Sequence, residues 1–380
     1  MPVAQGLSPD IVIVGLSLSS SWGNGHATTY RSLVKGLSAL GWRTLFLERE
    51  QPWYAQHRDL EAFPYCELAL YTSESELRRR HTAAVRSAVA VIVGSYVAQG
   101  VAVGDWVLDT ARGVRAFYDI DTPVTLAQLE EGNCSYLERR QIPEYDLILS
   151  FTGGPTLSRL RSQFGARRAV PLYCSVDTDM YRPLDASPDI DLGYMGTYSA
   201  DRQTKLARLL LLPARRLPAR RFMVAGAQYP ATLRWPPNVR HEQHMPPARH
   251  REFYGSQRFT LNITRADMAA AGWSPSVRLF EAAACGVPIV SDSWPGLEEF
   301  FEPGEEILTA YTAEDMTDIL EYCGDAERAR LARAACERVR ADHSGVRRAA
   351  ELEDALRGAH VEAPRRARGG ERGADAEIKP

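Results

Sequence analysis

Between residues 274 and 301 the chain reads SPSVRLFEAAACGVPIVSDSWPGLEEFF, a stretch in which a short helix gives way at once to a buried strand. Ser274 suits the helix cap, Pro275 its first position and Gly286 its end, which predicts a helix over 275–285. Pro288, Ile289 and Val290 then form a short apolar run closed by Ser291 and Asp292, the pattern of a strand buried in a parallel sheet. A helix feeding such a strand demands an α/β sheet. The small residues Ala282, Ala283, Ala284 and Cys285 let the helix lie close on that sheet.

The same alternation runs through the rest of the chain. Residues 10–15, DIVIVG, read as a first strand, followed by a glycine-rich turn, an amphipathic helix from Tyr30 and a second strand at Thr44-Leu45-Phe46-Leu47 closed by Glu48. Further strands are expected at 89–93, 115–119, 146–150, 191–196, 222–226, 259–263 and 288–290, with helices between them. At 380 residues the chain is long for one domain, and two of ordinary size are the natural division. The prolines and acids of 178–188 suit a connection. The expected domains are therefore 1–177 and 178–357. From Gly358 the Pro, Gly, Arg and Glu content offers little to bury and predicts a disordered tail over 358–380.

The second half carries the chemistry. A helix N-terminus at Ser276, Val277 and Arg278 offers backbone N–H groups and partial positive charge to a diphosphate. Glu281, sharing a helix face with Arg278, is placed to accept from ribose hydroxyls. A strand ending at Gly196, then Thr197-Tyr198-Ser199 and a helix near Asp201, repeats a phosphate-loop geometry. Asn262 and Arg265, just after another strand, line the same pocket. Arg278 and Glu281 also fit a solvated surface ion pair, worth a few tenths of a kcal/mol.

Leu279-Phe280-Glu281-Ala282, with Ala284-Cys285-Gly286 and Pro288-Ile289-Val290, resembles the C-terminal half of group 1 glycosyltransferases of the two-Rossmann-domain (GT-B) fold. Ser276-Val277-Arg278-Leu279-Phe280-Glu281 and Asp292-Ser293-Trp294 with Gly296-Leu297 are most similar to the spore-maturation (CgeB-like) group, and the likeness spans about 191–310. The resemblance implies two Rossmann-like, doubly wound parallel-sheet domains facing a cleft. It also implies transfer of a sugar from a UDP-, GDP- or dTDP-linked donor, held by the second domain, to an acceptor hydroxyl or amine. No bound metal and no further cofactor are expected, and the last helix often crosses back to the first domain. Two departures matter. Trp273 stands where many retaining relatives have a second glutamate, and Gly196-Thr197 and Arg202 stand where a Gly-Arg pair and a lysine commonly bind the diphosphate. Arg265, Arg278 or both replace the missing cation, since a guanidinium grips phosphate oxygens through parallel hydrogen bonds.

In the first half the resemblance assigns Gly23, Asn24 and Gly25 to the acceptor or the transferred sugar. His26 is the candidate base for an inverting reaction, because imidazole takes protons near neutral pH. Asp119 and Asp121 lie where ligands of open α/β sheets bind and are candidates to orient the acceptor or assist proton removal. Retention and inversion both stay open. So do two other classes. Gly23, Gly25 and Glu48 approach the dinucleotide fingerprint, with Thr28 in place of its third glycine, which fits an NAD-binding oxidoreductase. An inactive sugar-nucleotide-binding module is the other.

A net charge of −3 gives no reason to expect nucleic acid. The start lacks a signal peptide's pattern, no stretch is long and apolar enough to span a bilayer, and the six cysteines are scattered without a CxxC pair. A reduced cytoplasmic protein is the simplest reading. The arginines of the tail leave peripheral contact with an anionic surface open. The oligomeric state is not legible.

Overall fold

The computed structural model describes residues 8–22, 25–60, 63–185 and 187–362, with residues 360–362 in backbone only. Two wholly parallel sheets form. The first contains β1 (Ile11–Gly15), β2 (Thr44–Arg49), β3 (Glu67–Tyr71), β4 (Ala90–Gly94), β5 (Val114–Asp119), β6 (Leu147–Ser150) and β7 (Ala169–Pro171). The second contains β8 (Ile190–Met195), β9 (Phe222–Ala225), β10 (Val239–Glu242), β11 (Gln257–Asn262), β12 (Ile289–Ser291) and β13 (Leu308–Thr309). Their spatial orders are β3-β2-β1-β4-β5-β6-β7 and β10-β9-β8-β11-β12-β13. Each sheet winds outward in both directions from its first strand, so each has a crevice at the reversal, β1/β4 and β8/β11, where ligands of such sheets bind.

The apolar runs form these strands because both faces of each sheet are covered: Ile11, Val12, Ile13 and Val14 have no exposed surface. One apolar core continues from Ile13 and Tyr118 of the first sheet through Phe280 and Ile289 of the second to Leu352 of the last helix. That helix, Gly345–Glu362, runs beyond Gly358 and packs along the helix His26–Ala39 of the first domain. The approach needs glycine on both sides. A Cβ at Gly36 would lie 2.1 Å from the Gly345 carbonyl oxygen, and one at Gly345 would lie 2.3 Å from that of Ser32. Lys35 adds ion pairs to Asp177 and Asp179, each at 2.7 Å, in the crossing segment.

Three local expectations are corrected: residues 358–362 belong to the last helix rather than to a disordered tail, and two points concern helix starts. The helix expected over 275–285 is Val277–Ala284, capped by Ser276 rather than Ser274. Ser274 is otherwise engaged, its hydroxyl 2.9 Å from that of Thr152 in the first domain, while the Pro275 carbonyl accepts from the Cys174 thiol at 3.4 Å. The first helix begins at His26, not Tyr30, so His26 is a first-turn residue rather than a loop residue. Gly23 and Asn24 lie outside the described residues, as does the tail from 363.

Candidate active site

A cavity of about 210 Å³ opens between the two sheets. The first domain contributes Gly25, His26, Thr29, Asp121 and Phe151; the second contributes Thr264, Arg265, Met268 and 274–278. Most follow directly on a strand's carboxyl end or begin a helix, as the winding of the sheets requires. Of the residues singled out in the sequence, the fold therefore gathers Gly25, His26, Asp121, Arg265, Ser276, Val277 and Arg278 around one space. Thr29, Phe151, Thr264 and Met268 had escaped notice. Phe151 and Thr264 were findable, since each follows a strand end.

The second-domain wall is cationic. Arg278 projects from the first turn of its helix, and among the described residues no carboxylate pairs with it. Arg202 is buried, and burial, reinforced by the charge of Arg278, pulls its pKa below the usual arginine value. Its Nη2 donates to the Thr197 carbonyl at 2.6 Å, while its Nε has no partner. Two guanidiniums held within electrostatic reach, one under-partnered and one unneutralised, form an anion site in waiting. The Gly196 carbonyl accepts from the Tyr229 hydroxyl at 3.0 Å, and the Tyr198 ring packs edgewise on Tyr229 at 5.7 Å. Neither these loop residues nor Arg202 are among the residues that line the cavity. One further cation had escaped notice: Lys205 pairs with Asp292 at 2.6 Å, and Asp292 accepts from the backbone and hydroxyl of Thr264.

Glu281 does not share the exposure of Arg278. It is 2% exposed, its Oε2 accepting from the Tyr254 hydroxyl at 3.2 Å with His250 Nδ1 3.7 Å away. Three residues of helix fall short of a full turn, and that offset turns Glu281 inward while Arg278 meets the cavity. Asn262 is likewise buried, its amide donating to Ser291 at 3.0 Å with Oδ1 left unpartnered.

The first-domain wall holds neutralised groups. Burial lowers the His26 pKa to about 4, so the imidazole is neutral at pH 7. Its Nδ1 has no partner and its ring meets Tyr96 edge-on at 5.4 Å. Asp121 accepts from the Tyr96 hydroxyl at 3.0 Å and faces Arg265 across the cleft at 3.8 Å. Burial raises its pKa and Arg265 opposes the rise. Asp119 lies deeper, 2% exposed and outside the cavity lining, accepting from Thr125 at 2.8 Å. Burial raises its pKa to about 7. Glu48 is also buried, and its two oxygens accept four hydrogen bonds from Ser17, Leu18 and Ser19. No metal-ligating cluster occurs among the described residues.

Trp273 forms the seam. Its backbone takes a φ of 44°, its carbonyl accepts from Gly153 N–H at 2.9 Å, and its indole N–H donates to Glu299 at 2.5 Å. The ring lies between two glycines, one from each domain: a Cβ at Gly154 would sit 2.4 Å from it and one at Gly296 2.6 Å.

A family described as glycosyl transferase-like matches residues 202–354. No curated protein sequence matches the chain. Among solved structures, sucrose-phosphate synthase from Thermosynechococcus elongatus superposes with a TM-score of 0.66 at 13% identity, over 93% of this chain and 100% of that one. HepE from Anabaena, in complex with UDP and glucose, gives 0.64 at 13% over 92% and 99%. An alpha-glucosyltransferase in complex with UDP and DNA gives 0.69 at 13% over 91% and 99%. The second domain thus matches the glycosyl transferase-like family over residues 202–354, and the chain as a whole has the GT-B glycosyltransferase fold.

Proposed function

We propose that this protein moves a sugar from a nucleoside-diphosphate donor to an acceptor hydroxyl or amine in the cleft between its domains, without a bound metal, and that it stands with the CgeB-like group. The observation that carries the reading is Arg278 in the lining of the two-domain cavity, with no carboxylate paired to it among the described residues and with buried Arg202 close enough for the two charges to interact. Such a pair binds a diphosphate and stabilises the charge that grows on it as the sugar departs. Arg265 reaches the same space, and the N–H groups of the helix beginning at Val277 add to the field. UDP, present in the solved structures of HepE and the alpha-glucosyltransferase, is the first base to try.

Neutral His26 is able to take a proton from an acceptor hydroxyl, and Asp121 to orient that hydroxyl. Holding donor and acceptor together supplies the remaining rate by orientation. Trp273, locked into the seam, offers no carboxylate to the sugar. Which anomer forms is read directly by NMR of the product.

The dinucleotide alternative needs Glu48 for ribose hydroxyls, and the protein's own loop already occupies both oxygens of that carboxylate. A melting panel against UDP, GDP, dTDP, ADP and NAD separates the readings, because a ligand that binds only the folded state raises Tm. Stabilisation by one nucleoside diphosphate is the expected result; stabilisation by NAD alone would overturn the proposal. Arg278→Ala is the matching variant, since the burial of Glu281 makes its removal a test of folding as much as of binding.

A further inference from the structure

Beyond the carboxyl ends of β1 and β2, on the flank of the first sheet away from Phe151, two tryptophans stand in solvent. Trp22 is 42% exposed and Trp53 48%. They are not loose. His57 stacks on Trp22, with ring centroids 4.4 Å apart and planes 17° from parallel, while its Nδ1 lies 2.8 Å from the Trp53 carbonyl. The His57 carbonyl in turn accepts from the Ser20 hydroxyl at 2.8 Å. One imidazole therefore fixes both tryptophan-bearing segments into a single ledge. Arg31, whose Nε donates to the Leu18 carbonyl at 2.8 Å and whose guanidinium pairs with Asp59, ties this ledge to the helix His26–Ala39, and His26 and Thr29 of that helix line the cavity.

The rim of the ledge decides what it takes. Arg31 pairs with Asp59 at 2.6 Å and Arg58 with Glu50 at 2.9 Å. Asp59 also accepts from the backbone of Ser21 at 3.2 Å. These pairs balance in charge, so the patch lacks the uncompensated cations that an anionic membrane selects. Planar carboxylates and guanidiniums around an indole face instead suit a ligand with an apolar C–H face and a rim of hydroxyls. We propose that Trp22, with His57 stacked behind it, is a stacking platform for a saccharide, so that the acceptor of this transferase is itself a sugar or a sugar-terminated molecule. The inference rests on the donor reading above and adds the acceptor class to it. An indole face, with its negative quadrupole, attracts the partly positive C–H hydrogens of a pyranose.

The test uses the full chain with its stabilising nucleoside diphosphate bound. Saturation-transfer NMR against maltose, cellobiose, lactose and chitobiose is expected to show transfer to at least one disaccharide. Trp22→Ala is expected to weaken that binding roughly threefold to tenfold, with Trp22→Phe retaining most of it and nucleotide stabilisation unchanged in both. Nucleotide stabilisation without saccharide contact would overturn the acceptor class while leaving the donor reading intact. So would saccharide binding indifferent to Trp22→Ala, or binding to phosphatidylcholine–phosphatidylglycerol vesicles that Trp22→Ala abolishes. Absence of any nucleotide effect in the unmodified protein would instead sink the donor reading and this inference with it.

Discussion

The two walls of the cleft handle charge in opposite ways. On the second domain, Arg202 and Arg278 keep their charge although it works against them, and no carboxylate relieves Arg278. On the first domain, burial works against charge: His26 at the cavity is held neutral, the deeper Asp119 keeps its proton to about pH 7, and Asp121 faces Arg265 across the cleft. A guanidinium such as Arg278, with no carboxylate paired to it among the described residues, has a use if an anion comes to it. A neutral imidazole such as His26 fits proton transfer, where a permanent charge would cost desolvation without benefit. Trp273 bridges the two domains at the seam, its carbonyl accepting from Gly153 N–H and its ring packed between Gly154 and Gly296.

The largest effect is expected from breaking the cationic wall. Arg278→Ala removes a charged hydrogen bond to the diphosphate, worth about 1.5–3 kcal/mol, so affinity for the stabilising nucleotide should fall roughly tenfold to a hundredfold. The ligand-free protein should melt no lower, because a repulsion with Arg202 disappears as well. Calorimetric titration and melting of the same variant read both. Unchanged affinity would show that the arginines are not the anion site, and the contrast between the walls would lose its functional meaning.

Gly154→Ala attacks the seam. Gly154 has φ 54° and ψ −137°, a region essentially closed to other residues, and its Cβ would enter the Trp273 ring. Strain of this kind costs about 1–3 kcal/mol, and a loss near 2 kcal/mol in denaturant unfolding is expected. Gly132, also at positive φ but with open space around it, is the control: its alanine variant bears the backbone strain alone and should lose less.

What the sequence disclosed follows from what is local. Runs such as Ile11-Val12-Ile13-Val14 and Ile289-Val290 are strands because covered parallel strands are apolar throughout, and that survives any tertiary detail. The phrase around Arg278 likewise identified the cationic wall. Several failures turn on distant partners. Ser274 lost the cap to Ser276 because Thr152 holds its hydroxyl and Cys174 the next carbonyl. Glu281 turned inward because Tyr254 and His250 wait there. The ledge joins Trp22 to His57, residues that no helical or strand period relates.

The smallest effect tests the neutral wall, and it appears only as a function of pH. An aspartate in the unfolded chain gives up its proton near 3.8, whereas burial holds that of Asp119 to about 7. Between those values the folded state binds more protons than the unfolded one, so this group makes stability fall as pH rises through the window. Asparagine keeps a carbonyl for the Thr125 hydroxyl and cannot ionise. The Tm of Asp119→Asn relative to the unmodified protein should therefore rise between pH 5 and pH 8. His26 acts in the other direction, since its folded pKa is depressed and stability is lost as pH falls from 6.5 towards 4, but it is present in both proteins and cancels in the difference. Parallel melting curves across that range would mean that Asp119 is ionised in the fold, a buried negative charge close to Asp121 and its partner Arg265.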